Sequence, residues 1–459
     1  MTIGAQRGAA APRGDRALWV GGIAATILIV SLLVTRADLG LIAMIAFFAI
    51  GVAWLGRRLA TDVDPWLPKL IGLGFAAKLL GATARYLALV YVFGSGDASG
   101  YHAFAAHFAS FIRDFDLDSV LAALGNRGFG TNATKVAISF LYTPYIPTMY
   151  GGFLEAATFS FLGHIGFYTA FRRWVPADRL KPYAVLLFFL PTLLFWPSSV
   201  GKDALMIGAL GLAAAGFSAT LASYRIRYIV MAGLGLALAT VVRPHVAMLL
   251  LGSVFVAMVI ARGPKLAGSR GRRLVFVGVI SAVLLVGAPR AAQLIDVELS
   301  SDGIEDLIER QQSQTAQGGS LVQGSAVRSL GQMPGAMIRV LFRPLPNEAR
   351  SVEMLLTGLE GMALILLTVA LMPRMLRRLK TGIRNPWVVV SMVYTVGFIV
   401  AFSTVLNLGI LARQRAQVLP LFLALIIALG WPGEDLTGES GISRSELVGS
   451  ERLDTSVGV

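Results

Sequence analysis

Three side chains suited to proton chemistry and ligand recognition crowd one short stretch, SGDASGYH at 95–102, between the apolar runs LALVYVFG and AFAAHFASFI. Asp97 can act as a general base, accepting a proton from a hydroxyl as its oxygen attacks an electrophilic carbon. Tyr101 and His102 can stack on, or hydrogen-bond to, the molecule that carries the hydroxyl. Glycines at 94, 96 and 100 let the backbone approach a bulky ligand. An Asp after Gly also closes Asx-turns, and Tyr and His also anchor chains at an interface, so both readings stand at this point.

A second set of residues could hold an anion. Lys202 lies in PSSVGKDAL, Arg243 and His245 in VVRPHVAM, Arg343 and Arg350 in LFRPLPNEAR, and Arg413 and Arg415 in LARQRAQVLP. Each cation sits beside an apolar run, where a charge is costly unless it is paired or solvated. Together they suit a phosphate or pyrophosphate, which Arg binds through a fork of two hydrogen bonds and Lys as a point charge. Any one of them could instead be a snorkelling anchor. In PSSVGKDAL, Ser198 or Ser199 can cap a helix whose first N–H groups favour an anion, with Lys202 adding charge. Alternatively Lys202 and Asp203 neutralise each other. In RPH, Pro244 opens a helix. His102, His107, His164 and His245 show no metal-ligand spacing, so no metal site is expected from them. The chain has no cysteine, which excludes disulfides, thiolate metal sites and cysteine nucleophiles.

These residues must be positioned by membrane helices. Of 459 residues, 56% are hydrophobic and 14% charged, with a mean hydropathy of +0.70; a soluble chain is about a quarter charged. The net charge of +14 fits basic cytoplasmic loops better than nucleic-acid binding. About twelve apolar runs are long enough to read as spans: 17–34, 38–55, 68–94, 148–171, 182–197, 203–222, 226–242, 245–262, 273–289, 352–372, 386–406 and 415–431. The first is too long for a signal-peptide core and is read as retained. The N-terminus is basic, as are the exits of the even-numbered runs: Arg57 and Arg58; Arg172, Arg173 and Lys181; Arg225 and Arg227; Arg262 and Lys265; Arg374, Arg377 and Arg378. That alternation predicts an all-α polytopic membrane protein with N- and C-termini cytoplasmic. It forms one transmembrane domain over 1–431, with external loops at 95–147 and 290–351 and a disordered cytoplasmic tail at 432–459. In the first loop FAAHFASFIRDF has helical spacing suited to lying in the interface. In the second, QQSQTAQGGS is a low-complexity stretch. SGDASGYH and the cations then share the outer face.

With that placement, GD-x-x-x-Y after an early span resembles the first external loop of the C-type membrane glycosyltransferases. RQRAQVLPLFLALIIALG resembles the R-x-R-x-x-x-x-P-L motif that opens the last span in many bacterial members. PSSVGKDAL, RPH and FRPLPNEA resemble bacterial envelope-polysaccharide proteins, including Wzy-type repeat-unit polymerases. The resemblance implies that Asp97 is the catalytic base toward a polyprenyl-linked donor and that Arg413 and Arg415 contact the lipid phosphate. Tyr101, His102, Lys202, Asp203, Arg243, His245 and Arg343 then fall to substrate binding. The implied partners are a lipid-linked sugar donor, a glycan acceptor and membrane lipids, with no nucleic acid, in the bacterial cytoplasmic membrane. Many members carry a second acidic residue in an external loop, for which Asp203, Glu348 and Glu353 all qualify. A divalent cation, used by some members, stays open with it. The alternatives are a Wzy-type polymerase of lipid-linked repeat units and, in another class, a transporter or flippase of lipid-linked glycans.

Overall fold

The structure is a computed structural model. It describes residues 39–94, 96–122, 130–143, 147–261, 271, 274, 276–285, 330–349, 351–405, 407–433 and 436. Among these the chain is helical, with no β-strand. The main helices are α1 (Leu39–Leu59), α2 (Leu67–Leu87), α3 (Asp97–Arg113), α4 (Thr131–Tyr142), α5 (Met149–Arg172), α6 (Lys202–Ala222), α7 (Ile226–Val242), α8 (Pro244–Ile260), α9 (Val352–Gly382) and α10 (Pro386–Phe402). A π-helical turn, Ala88–Phe93, continues α2.

The described residues do not support the expected count of about twelve spans. Four helices among the described residues are long and apolar enough to cross a membrane: Leu41–Leu59, Leu67–Phe93, Lys202–Ala222 and Val352–Gly382. A 21-residue helix rises ~30 Å, the thickness of a bilayer core. Two further spans are broken. Ala177–Phe189 meets Pro191–Ser198 at 53°, and Leu408–Gln417 meets Leu419–Gly430 at 62°, which brings the total among the described residues to at most six. At the first break Leu190 is extended, and Pro191, lacking an N–H, opens a new helix. The runs at 226–242, 245–262 and 386–406 form helices of 17 residues, each short for a span. The run at 148–171 forms a 24-residue helix, α5, whose Gly, Glu and His lower its apolarity. It needs no lipid-facing stripe, because it is buried among other helices. There Gly163 and Gly166 lie so close to the α6 backbone at Ile207 and Gly211 that no Cβ would fit, the close approach that small residues allow between membrane helices. The run at 17–34, both termini, the tail at 437–459 and QQSQTAQGGS all lie outside the described residues.

The helices give the bundle two chemically different ends. At one, Arg172 at the end of α5 bonds to the carbonyl of Leu59 at 2.5 Å and pairs with Asp64 at 2.8 Å, and Tyr168 also donates to Asp64. Asn385 there caps α10 and reaches the Trp174 carbonyl, while Arg378 binds the carbonyls of Trp431 and Gly433. Arg57 and Arg58, in the last turn of α1, precede this network by a few residues. At the other end α2 finishes, and α3, α5, α6 and α9 begin.

Between the ends, one buried polar knot joins the two breaks. Glu360 of α9 accepts the Thr192 N–H at 2.5 Å and the Arg415 guanidinium at 3.1 Å. Arg415 also donates to Thr192 Oγ1 at 2.9 Å and to the Leu341 carbonyl at 3.2 Å. Lys78, fully buried in α2, donates to the Leu193 carbonyl at 2.6 Å. Broken helices leave backbone groups that lipid cannot satisfy, and these side chains supply the partners.

The expected external segments are helical where they are described. The segment 95–147 contributes α3, a short helix Leu117–Ala122, and α4. FAAHFASFIRDF falls mainly in α3, which buries Tyr101, Ala105 and Ala109, and Lys135 of α4 lies 5.1 Å over the Phe104 ring. Of 290–351, the described part holds Met333–Met337, continued by a π-helical turn to Phe342.

Candidate active site

At the end where α3 and α6 begin, a cavity of about 510 Å³ is lined by Asp97, Tyr101, Lys202, Asp203 and Arg413, five of the ten residues singled out from the sequence. Each is placed by a helix end. Gly96 and Gly201 are the residues before α3 and α6, and neither helix start has a side-chain cap. The expectation that Ser198 or Ser199 caps α6 is corrected: Gly201 occupies the N-cap position without a capping side chain, and Ser198 donates to the Leu194 carbonyl at 2.5 Å. Gly201 has φ +150°, a conformation that a side chain would strain, and a Cβ there would meet the Tyr101 ring at 3.4 Å. The first N–H groups of two long helices therefore open onto one cavity, and such helix starts favour anions. Pro244 opens α8, as the sequence predicts.

The charges are arranged around Asp203. Arg243 donates to its Oδ1 at 2.9 Å, and Arg413 Nε donates to its Oδ2. Arg413 Nη1 then reaches Asp97 Oδ2 at 3.3 Å. The Asp203 side chain is 4% exposed and that of Asp97 is 71% exposed. Asp203 therefore orients two guanidiniums, while Asp97 presents a carboxylate to whatever enters. Lys202 does not neutralise Asp203. It donates to Thr131 Oγ1 at 2.9 Å and has no carboxylate partner among the described residues. Of the three candidate second acids, Asp203 is the one in the cavity. Glu348 pairs with Arg343, and that hydrogen bond holds its carboxyl below the usual range. Glu353 stands in the first turn of α9 within electrostatic reach of Arg85.

The other five residues do not line the cavity. Arg243 stands behind it on Asp203. His102 shares a hydrogen bond with Tyr142 Oη at 3.1 Å, and burial lowers its pKa, so the neutral imidazole is its form at neutral pH. Burial likewise raises the pKa of Tyr101. His245 lies 6.1 Å from the Phe402 ring. Arg343 belongs to the Glu348 pair and Arg415 to the buried knot. Arg415 is thus not placed to contact a phosphate in the cavity, because its guanidinium is buried inside the bundle.

Sequence reasoning missed three cavity residues: Arg85, Trp196 and Asn407. Asn407 caps the helix carrying Arg413 by accepting from Gly409 and Ile410 at 2.9 and 3.1 Å. Arg85 carries a readable signal, a charge inside the apolar run ARYLALVYVFG rather than between two runs. Among the described residues no three His, Asp or Glu cluster as a metal cage. Asp97 and Asp203 are bridged by the guanidinium of Arg413.

The arrangement can take a proton at Asp97 and hold negative charge at Lys202 and two helix starts a short distance away. No protein-family model matches the chain, and neither a curated protein nor a solved structure does.

Proposed function

We propose that the protein is a membrane glycosyltransferase that uses a polyprenyl-phosphate- or pyrophosphate-linked sugar donor at the outer face of a bacterial cytoplasmic membrane, in the assembly of an envelope polysaccharide. The observation that carries this reading is the meeting of an exposed carboxylate, Asp97, with Lys202, Arg413 and two uncapped helix starts in one cavity. An acceptor hydroxyl gives its proton to Asp97 as its oxygen bonds to the anomeric carbon. The bond from that carbon to the phosphate oxygen breaks, and the electron pair leaves with the phosphate. Lys202, Arg413 and the helix N–H groups stabilise the charge that develops there. A Wzy-type polymerase would use the same step with a second lipid-linked glycan as acceptor.

The outer-face placement is supported by Arg57, Arg58 and Arg172 at the opposite end of the bundle, which the positive-inside rule assigns to the cytoplasm. A cysteine at Ser99 is expected to react with an impermeant thiol reagent in intact cells, and one at Thr61 is not. Labelling of Thr61→Cys alone would reverse the orientation.

The two broken spans favour a second reading, a transporter or flippase of lipid-linked glycans, since discontinuous helices often line transport sites. Both breaks are locked by one buried ion pair rather than left open to a pathway, which favours the transferase. Proteoliposomes carrying a labelled lipid-linked sugar separate the two. A transferase forms a new glycosidic bond on an added acceptor. A flippase moves the intact donor to the other leaflet with no new bond, and that result would replace the first reading.

A further inference from the structure

We infer that Arg85 joins Lys202 and Arg413 in binding the phosphate, and that its ligand is a lipid phosphate whose apolar chain leaves past Phe93 toward the membrane. This rests on reading the cavity as a membrane-face site for a lipid-linked donor, and it assigns the headgroup to a residue that none of the sequence motifs contains.

The other cations in and behind the cavity have polar partners. Arg413 and Arg243 spend donors on Asp203, and Lys202 donates to Thr131. Arg85 makes no ion pair among the described residues. Three rings approach its guanidinium carbon, Phe93 at 5.5 Å, Phe195 at 5.2 Å and Trp196 at 4.9 Å. Rings attract a cation through their faces but accept no ordinary in-plane hydrogen bond. Accordingly Nε and Nη1 of Arg85 are shielded from water and have no hydrogen-bond partner, and Nε1 of Trp196 also has none. A guanidinium offers five donors and no acceptor, and leaving donors of a charged group unmade is costly. An oxyanion is the chemical class that such a charged donor takes, and it meets Arg85 through the part of the guanidinium that faces the cavity rather than through the enclosed Nε and Nη1.

The surroundings distinguish a lipid phosphate from a free one. The wall beside Arg85 is apolar, formed by Leu89, Phe93 and Trp196. Next to it the π-helical turn turns Val90, Tyr91 and Val92 outward, with Tyr91 79% exposed. Tyr91 and its neighbours continue the exposed apolar surface that Leu73, Leu80 and Leu87 form on α2. A headgroup at Arg85 can therefore keep its chain on apolar surface without crossing the carboxylate end of the cavity.

The test is binding to the purified full-length protein in nanodiscs, with farnesyl phosphate, farnesol and inorganic phosphate as probes. Wild type is expected to bind farnesyl phosphate about 10- to 100-fold more tightly than farnesol, the worth of a charge-assisted contact. R85Q is expected to lose that preference, and R85K to keep part of it, because a point charge replaces the fork. Farnesyl phosphate and farnesol binding alike in the wild type would overturn the assignment, whatever the variants do. So would folded R85Q or R85K retaining the full preference. Displacement of farnesyl phosphate by equimolar inorganic phosphate would overturn the lipid part. The two proposals fail separately. Wild type that selects farnesyl phosphate through Arg85 but transfers no sugar leaves this site standing and removes the transferase. Transfer at the wild-type rate by R85Q, with unchanged lipid selectivity, does the reverse.

Discussion

Asp97→Asn is expected to lower sugar transfer by about 10²–10⁴-fold, the usual worth of a general base, while binding of the lipid donor survives. Asn keeps the size of the side chain and can still accept a hydrogen bond from Arg413, but it cannot take a proton from the acceptor hydroxyl. The expectation depends on the difference between the two carboxylates of the cavity. Asp203 is buried under Arg243 and Arg413, whereas Asp97 shares only the 3.3 Å contact with Arg413 and is mostly open. Asp97→Glu should also lose much of the activity, because its extra methylene misplaces the oxygen by more than a reacting geometry tolerates. His102→Ala should be milder, since His102 is bonded to Tyr142 and does not line the cavity. The measurement is single-turnover transfer from a labelled donor by purified variants. A wild-type rate for Asp97→Asn would make Asp97 a helix-start residue that complements the dipole of α3.

The sequence disclosed this cavity in part because its components are polar groups at the ends of apolar runs. Asp97, Tyr101, Lys202, Asp203 and Arg413 lie far apart in the chain, and their convergence was legible only through the alternation of basic loops. That alternation reports which end of a helix a residue occupies, but not which neighbour it meets. Lys202 and Asp203 are adjacent in sequence, yet they turn to different partners, because successive residues on a helix point about 100° apart. Arg413 and Arg415 form one motif in the sequence and two sites in space. The short helix Leu408–Gln414 ends between them, so that one arginine faces the cavity and the other the interior.

The number of spans was less legible, for a related reason. Hydropathy measures how apolar a run is and not whether its helix continues. The runs at 182–197 and 415–431 are apolar over most of their length, but each contains a proline where a new helix begins. In α5 the opposite holds. The helix is long and continuous, and its glycines serve backbone contact with α6 at the expense of apolarity. Arg85 and Lys78 show a third limit. A cation inside an apolar run signals a special environment, but only the structure separates Lys78, satisfied by the Leu193 carbonyl, from Arg85, enclosed by rings.

Arg415 provides the second large effect, and it is expected in stability rather than in binding. Arg415→Met removes the partner of Glu360 inside the bundle, and breaking a buried pair from one side costs about 3–5 kcal/mol. The loss should be larger than that from removing any single hydrogen bond, because Glu360 also accepts the Thr192 N–H at the first break and Arg415 also holds the Leu341 carbonyl. The compensating change follows from the same geometry. Glu360→Gln keeps an acceptor for the Thr192 N–H and carries no charge, so the double variant R415M/E360Q should recover much of the loss. Neighbours that share one network are non-additive in this way. Thermal unfolding of the four proteins in nanodiscs measures the coupling. Lipid-donor affinity, read below the melting range, should be close to wild type in Arg415→Met, since the guanidinium lies outside the cavity. A variant that melts like the wild type but binds the donor poorly would return Arg415 to the role its motif suggests, a direct contact to lipid phosphate.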